Sequence, residues 1–195
     1  MKYIEHFYSL NPDWQYDFAK QMDICLIDDK IMIIPNTIGS GHVYFTQSLP
    51  GISVLVTDFT IKTPLTLNKL VSQEEFYMFT FSSIGNRVEN ANQFSLIISN
   101  NQFEESFSPT LNKKVFELSV FVEKNGMHNL ISGLDNPQFV TNRISNINDC
   151  YTEYLDSDSL RLLQSVKNES IYNLSFEYFL RGVSLKLLAN FLSQN

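Results

Sequence analysis

Residues 30–59 read Lys30-Ile-Met-Ile-Ile-Pro35-Asn-Thr-Ile-Gly39-Ser-Gly41-His42-Val-Tyr44-Phe-Thr-Gln-Ser-Leu-Pro50-Gly51-Ile-Ser-Val-Leu-Val-Thr-Asp58-Phe59. Three apolar runs are broken by Pro35, by the Gly39/Gly41 pair and by Pro50-Gly51. Proline fixes φ and glycine supplies φ > 0, so Pro50-Gly51 marks a β-turn between two strands. Gly39-Ser-Gly41 reads as a turn or bulge. It is no phosphate loop, because no Lys-Ser/Thr follows it and a strand comes next. The run from Ile52 to Thr60 is apolar on both sides, as expected of a strand covered on both faces.

Outward from this block the same grammar continues. Asp28-Asp29 separates Met22–Ile27 from Lys30–Ile34 as a hairpin. Further strands are expected at Pro64–Leu67, Glu75–Phe81, Gln93–Ser99 and Val115–Val122. The last has the cleanest alternation, with Phe116, Leu118, Val120 and Val122 on one side. Asn11-Pro12-Asp13 is a helix start, with Asn as cap and Pro at the first helical position, and the helix runs to about Gln21. Glu123–Leu130 can hold a short helix. After residue 150 the period changes. Ser157 or Asp158 caps a helix over Leu160–Val166. Ile171–Leu192 repeats Phe176, Leu180, Val183, Leu187 and Phe191 at helical spacing. Short strands with regular turn signals point to a sandwich or barrel followed by helices.

The chain has 195 residues, 44% hydrophobic and 18% charged, which excludes a disordered chain and supports a sizeable core. Its 16 Phe and 9 Tyr are read first as core packing. A net charge of −7 repels phosphate backbones, and the Lys113-Lys114 pair is too small a patch to reverse that. The two cysteines form no disulfide framework; Cys25 reads as a small core residue, and a reducing compartment is expected. The start carries Glu5 and His6, unlike a signal peptide, and no run of about 18 apolar residues exists, so a soluble cytoplasmic protein without a membrane span is expected. Asn168-Glu-Ser170 and Asn173-Leu-Ser175 match glycan acceptors by chance.

The strand pair closed by Leu49-Pro50-Gly51-Ile52 and ending in Asp58-Phe59 resembles the amino-terminal sensing domain of bacterial AraC-type transcription regulators. Glu75-Phe-Tyr-Met-Phe-Thr-Phe81, Ile97-Ile-Ser-Asn100, Phe107-Ser-Pro109 and Lys114-Val-Phe-Glu-Leu-Ser-Val120 look like later strands of that domain. The resemblance implies a mainly β fold with α, a cupin-like (double-stranded β-helix) barrel over 1–135 and a helical dimerisation segment over 136–195. It implies a ligand-sensing and dimerisation role, a homodimer, and an unknown small-molecule effector. Such regulators continue into two helix-turn-helix units, so DNA binding would belong to a domain beyond Asn195. The competing reading is a stand-alone cupin-like small-molecule-binding protein or enzyme.

Chemistry-bearing constellations are sparse. A cupin metal site needs paired histidines. The chain has only His6, His42 and His128, and position 44 is Tyr44, so no metal and no cofactor is expected. No Gly-x-Ser-x-Gly elbow or Cys–His pairing exists, so no enzyme activity is expected. Asp58 stands out, because a carboxylate in an apolar strand is costly to bury without a partner. It either faces a ligand in the barrel or ends a strand near solvent. His42, Tyr44, Asp58, Tyr77 and Phe81 are the pocket residues this reading offers, and the sequence leaves open which strand face points inward. Leu180, Val183, Leu187 and Phe191 are the offered dimer contacts, although the same stripe would equally cover the barrel.

Overall fold

The computed structural model describes residues 2–82, 94–145 and 151–193. Cys150, and Gln93 at the head of an expected strand, lie outside the described residues. The strands are β1 (Lys2–His6), β2 (Leu26–Ile27), β3 (Ile31–Ile33), β4 (Gly39–Leu49), β5 (Ile52–Ile61), β6 (Leu65–Lys69), β7 (Phe76–Ser82), β8 (Ser95–Asn100), β9 (Glu105–Phe107), β10 (Lys114–Glu123) and β11 (Tyr151–Tyr154). The helices are α1 (Trp14–Met22), α2 (Lys124–Ser132), α3 (Pro137–Ser145), α4 (Ser157–Asn168) and α5 (Phe176–Ser193).

The fold is mainly β with α. Eight strands form one antiparallel sheet in the order β11-β8-β7-β10-β5-β4-β3-β2, and three form a small mixed sheet, β1-β6-β9. Among the described residues the large sheet is open, because β11 and β2 are its unpaired ends. Its hairpins follow from the turn residues. Asp28 and Asp29 both take left-handed φ, 50° and 54°, the geometry of a primed two-residue turn. Gly51 sits at φ 75° between β4 and β5. The Gly39-Ser40-Gly41 stretch is not a separate turn but the start of β4, laid against β5, where a Cβ on either glycine would run into the carbonyl of Thr60 or Asp58.

Cross-strand pairing assigns the faces. Tyr44, Val56, Leu118, Phe81 and Leu96 form one row, and Thr46, Val54, Val120, Phe79 and Ile98 the next. This face carries the larger core, closed by α2–α5 through Met127, Ile131, Val140, Ile144, Leu163, Leu180, Leu187 and Phe191. The opposite face presents Val43, Phe45, Leu55, Phe59, Met78, Val115 and Phe121. They pack against α1 and the small sheet through Trp14, Phe18, Ile4 and Leu65. At about 25 cal/mol per Å² of apolar area removed from water, burial on both faces makes β5, β7 and β10 the spine of the fold.

Several boundaries differ from expectation. α1 starts at Trp14, with Asp13 rather than Asn11 at its cap, because Asn11 is drawn towards the Glu74 carboxylate instead. α4 is capped by Asp156, whose carboxylate accepts from Ser159 N at 2.7 Å, and not by Ser157 or Asp158. Cys25 is exposed, not core: α1 ends at Met22, Asp23 turns left-handed, and the expected strand over Met22–Ile27 shrinks to Leu26–Ile27. The expected division at 135/136 falls between α2 and α3, and β11 beyond it pairs with β8, so the helical segment also contributes to the main sheet.

Candidate functional site

α2 leaves β10 directly, and α3 begins at Pro137, where proline suits the first helical position. α2 leans on β7 and on α3, and together they leave an open cavity of about 420 Å³ lined by Tyr77, His128, Ile131, Ser132, Pro137, Thr141 and Ile144. Its floor is apolar, since Ile131 and Ile144 belong to the helix-covered core. Its polar groups are three hydroxyls and an imidazole. Thr141 Oγ1 donates to the Pro137 carbonyl at 2.8 Å, and Ser132 Oγ donates to the Asn129 carbonyl at 2.9 Å. Burial raises the Tyr77 phenol above its ordinary range; Lys124 works against that shift and Glu75 with it. Those two are themselves paired, Lys124 Nζ to Glu75 Oε2 at 2.5 Å.

The far end of α3 is tied to the rest of the helical layer. Arg143 and Glu153 of β11 form an ion pair with both side chains largely buried. The Arg143 guanidinium also lies 4.5 Å from the centre of the Phe191 ring on α5. At the other end of α5, Glu177 accepts from Lys30 Nζ at 2.7 Å and from Thr46 Oγ1 at 3.2 Å. The Lys30 bond is the chief cause of a lowered Glu177 carboxyl pKa.

The five residues offered as a pocket do share one face of the large sheet, and it is the face under the helices. Only Tyr77 lines the cavity. Phe81 is buried in the core row with Leu118 and Leu96. Tyr44 is buried with its ring edge-on to Phe176 at 4.9 Å, and burial, with Glu177 nearby, pushes its phenol up to about 12. His42 and Asp58 are cross-strand partners at the opposite end of the face. The Asp58 carboxylate is paired with Lys114 Nζ at 3.0 Å. Burial lowers the His42 pKa, while Asp58 pulls it up. Of the other six cavity residues the sequence singles out only His128, and only against a metal site, because all six sit in 124–150, where the sequence shows no clean period. Asn136-Pro137 does carry the same start signal as Asn11-Pro12.

Leu180, Val183, Leu187 and Phe191 are buried inside the chain's own core, facing the sheet. The stripe therefore covers the sheet of its own chain. The outward face of α5 carries Tyr178, Gly182, Lys186 and Ala189 instead. Among the described residues no three His, Cys, Asp or Glu side chains gather as metal ligands, and no helix is long and apolar enough to cross a membrane.

No family model and no curated protein matches the chain. Among solved structures it is similar to ToxT from Vibrio cholerae, at 14% identity and a TM-score of 0.38, over 74% of this chain and 58% of that one. ToxT from Vibrio cholerae O395 bound to (E)-4-(8-methylnaphthalen-1-yl)but-3-enoic acid matches at 14% identity and a TM-score of 0.36, over 74% and 59%. The chain thus spans less than two thirds of the length of these proteins. A likeness of this depth assigns no family.

Proposed function

We propose that the chain is the small-molecule-sensing and dimerisation part of an AraC-type transcription regulator, with its effector seated between β7 and the α2–α3 pair. The observation that carries the reading is the cavity at Tyr77. It is of ligand size, since such sites typically run from about 300 to 1,000 Å³. It opens beside α3, whose Arg143 lies over the Phe191 ring of α5, rather than inside the space between the two sheets. The opening strand block around Pro35, Gly39, Gly41 and Pro50-Gly51 supports the family. The small sheet facing the large one supports reading the β part as an opened, cupin-like barrel. DNA contact would belong to a separate basic domain, in keeping with the net charge of −7 here.

Self-association is placed on the outward face of α5 along Tyr178, Gly182 and Ala189, because its inward face is already occupied. A bound effector acts by favouring one seating of α3 and α5 over another, and only as far as it binds the two differently. The alternative is a stand-alone small-molecule-binding protein with the same cavity. Fusing the chain to a DNA-binding domain that is active only as a dimer separates the two. The regulator reading expects reporter output, reduced by Gly182→Trp on the outer face. Output equal to that of the DNA-binding domain alone, from a chain that sediments as a monomer, leaves the binding protein.

A further inference from the structure

We infer that the α2–α3 cavity selects an uncharged hydrogen-bond donor on an apolar body, such as a phenol, alcohol or amide, rather than an organic acid or amine. This rests on the sensing reading above and adds the ligand class. None of the seven lining residues is Lys, Arg, Asp or Glu. Two charge pairs stand nearby, each matched within itself: Lys124 with Glu75, and Arg143 with Glu153. The one ionisable nitrogen base of the lining is His128, which is exposed, so a ligand ion held deeper against the apolar floor would lack a counter-charge there, which is unfavourable.

The hydroxyls decide between donor and acceptor. A hydroxyl has one proton and two lone pairs. The Thr141 and Ser132 protons are committed to the carbonyls of Pro137 and Asn129. What these two side chains turn to the cavity is therefore lone pairs, which accept. A carboxylate only accepts, so it would meet oxygen against oxygen at these two side chains, and besides Tyr77 its one donor in the lining would be the exposed His128 imidazole. Tyr77 can give or take one bond, and Ile131, Ile144 and Pro137 supply the surface for a ring.

Four probes of similar shape test this on the full chain by calorimetry: biphenyl, 4-phenylphenol, biphenyl-4-carboxylate and 4-phenylbenzylammonium. The phenol is expected to bind about ten-fold or more tighter than either ion. Thr141→Val removes one acceptor at constant shape and should weaken the phenol several-fold while leaving biphenyl itself unchanged. Ser132→Trp, at an exposed position, should abolish binding of every probe at an unchanged urea midpoint; unaltered binding would place the probe elsewhere and overturn the assignment. Equal or tighter binding of the carboxylate or the ammonium, lost in Ser132→Trp, overturns the ligand class and leaves the sensing cavity standing. No binding by any probe overturns both.

Discussion

Asp58 finds its partner within its own sheet. In the strand it is an isolated carboxylate among apolar neighbours, yet Lys114 from the adjacent strand reaches it at 3.0 Å. An ion pair with one half-exposed partner contributes up to about 1 kcal/mol, so Asp58→Ala should lower urea stability by no more than that and leave probe binding at Tyr77 unchanged. Gly41 is the stricter position. At φ 111°, with the Asp58 carbonyl where a Cβ would go, Gly41→Ala should cost about 2 kcal/mol or more, read as a drop in the urea midpoint at unchanged slope. His6 gives a signed prediction. It is buried beside Lys69, and burial first, then Lys69, lowers its pKa to about 4 from 6.5. The fold holds the imidazole neutral, and the unfolded chain takes up the proton first. Stability is therefore complete above pH 6.5 and falls as pH drops towards 4, by up to about 1.4 kcal/mol per pH unit. Glu117, raised by burial, slopes the opposite way above pH 4.5, since the unfolded carboxyl ionises first. His42, also lowered by burial, slopes the same way as His6. The difference in melting between wild type and His6→Gln across pH 4–7 isolates the His6 part; parallel profiles would refute it.

At the scale of elements, α5 is decisive. Leu187 is buried against the sheet, so Leu187→Ala should cost about 2–5 kcal/mol of monomer stability, seen in urea at any protein concentration. An effect confined to dilute protein would instead place Leu187 in a dimer contact. Gly182 has no neighbour within 4 Å of an added Cβ, so Gly182→Ala should raise stability by about 0.5–1 kcal/mol. The stripe on α5 was legible from its spacing, but its partner was not. Apolar residues at helical spacing look the same whether they cover the chain's own sheet or a second copy. Strand β10 was legible because Phe116, Leu118, Val120 and Val122 recur at every second position. Strand β1 was not, because it is made by parallel pairing with β6, far away in sequence, and the three-residue β9 was met only at Phe107, the start of the Phe107-Ser-Pro109 segment. The candidate site was legible only at Tyr77, because the rest of its wall comes from two short helices in a polar stretch. The family resemblance placed the pocket among the barrel strands, and the cavity lies on the outer side of the same sheet.

Across the whole molecule, two cores share one sheet, and β5, β7 and β10 are pinned on both faces. Amide exchange should be slowest there and fastest in β2 and β11, the two ends of the sheet. Equal protection across all eight strands would argue against this layering. The sharing also bears on what light can report. The chain has a single tryptophan, Trp14, and it packs 5.2 Å from Phe45 on the side of the sheet away from the cavity. No molecule seated against Tyr77 can touch that indole. A shift in its emission on adding a cavity probe would therefore be a signal carried through the sheet itself, and a silent indole would mean that the message leaves by α3 and α5 alone.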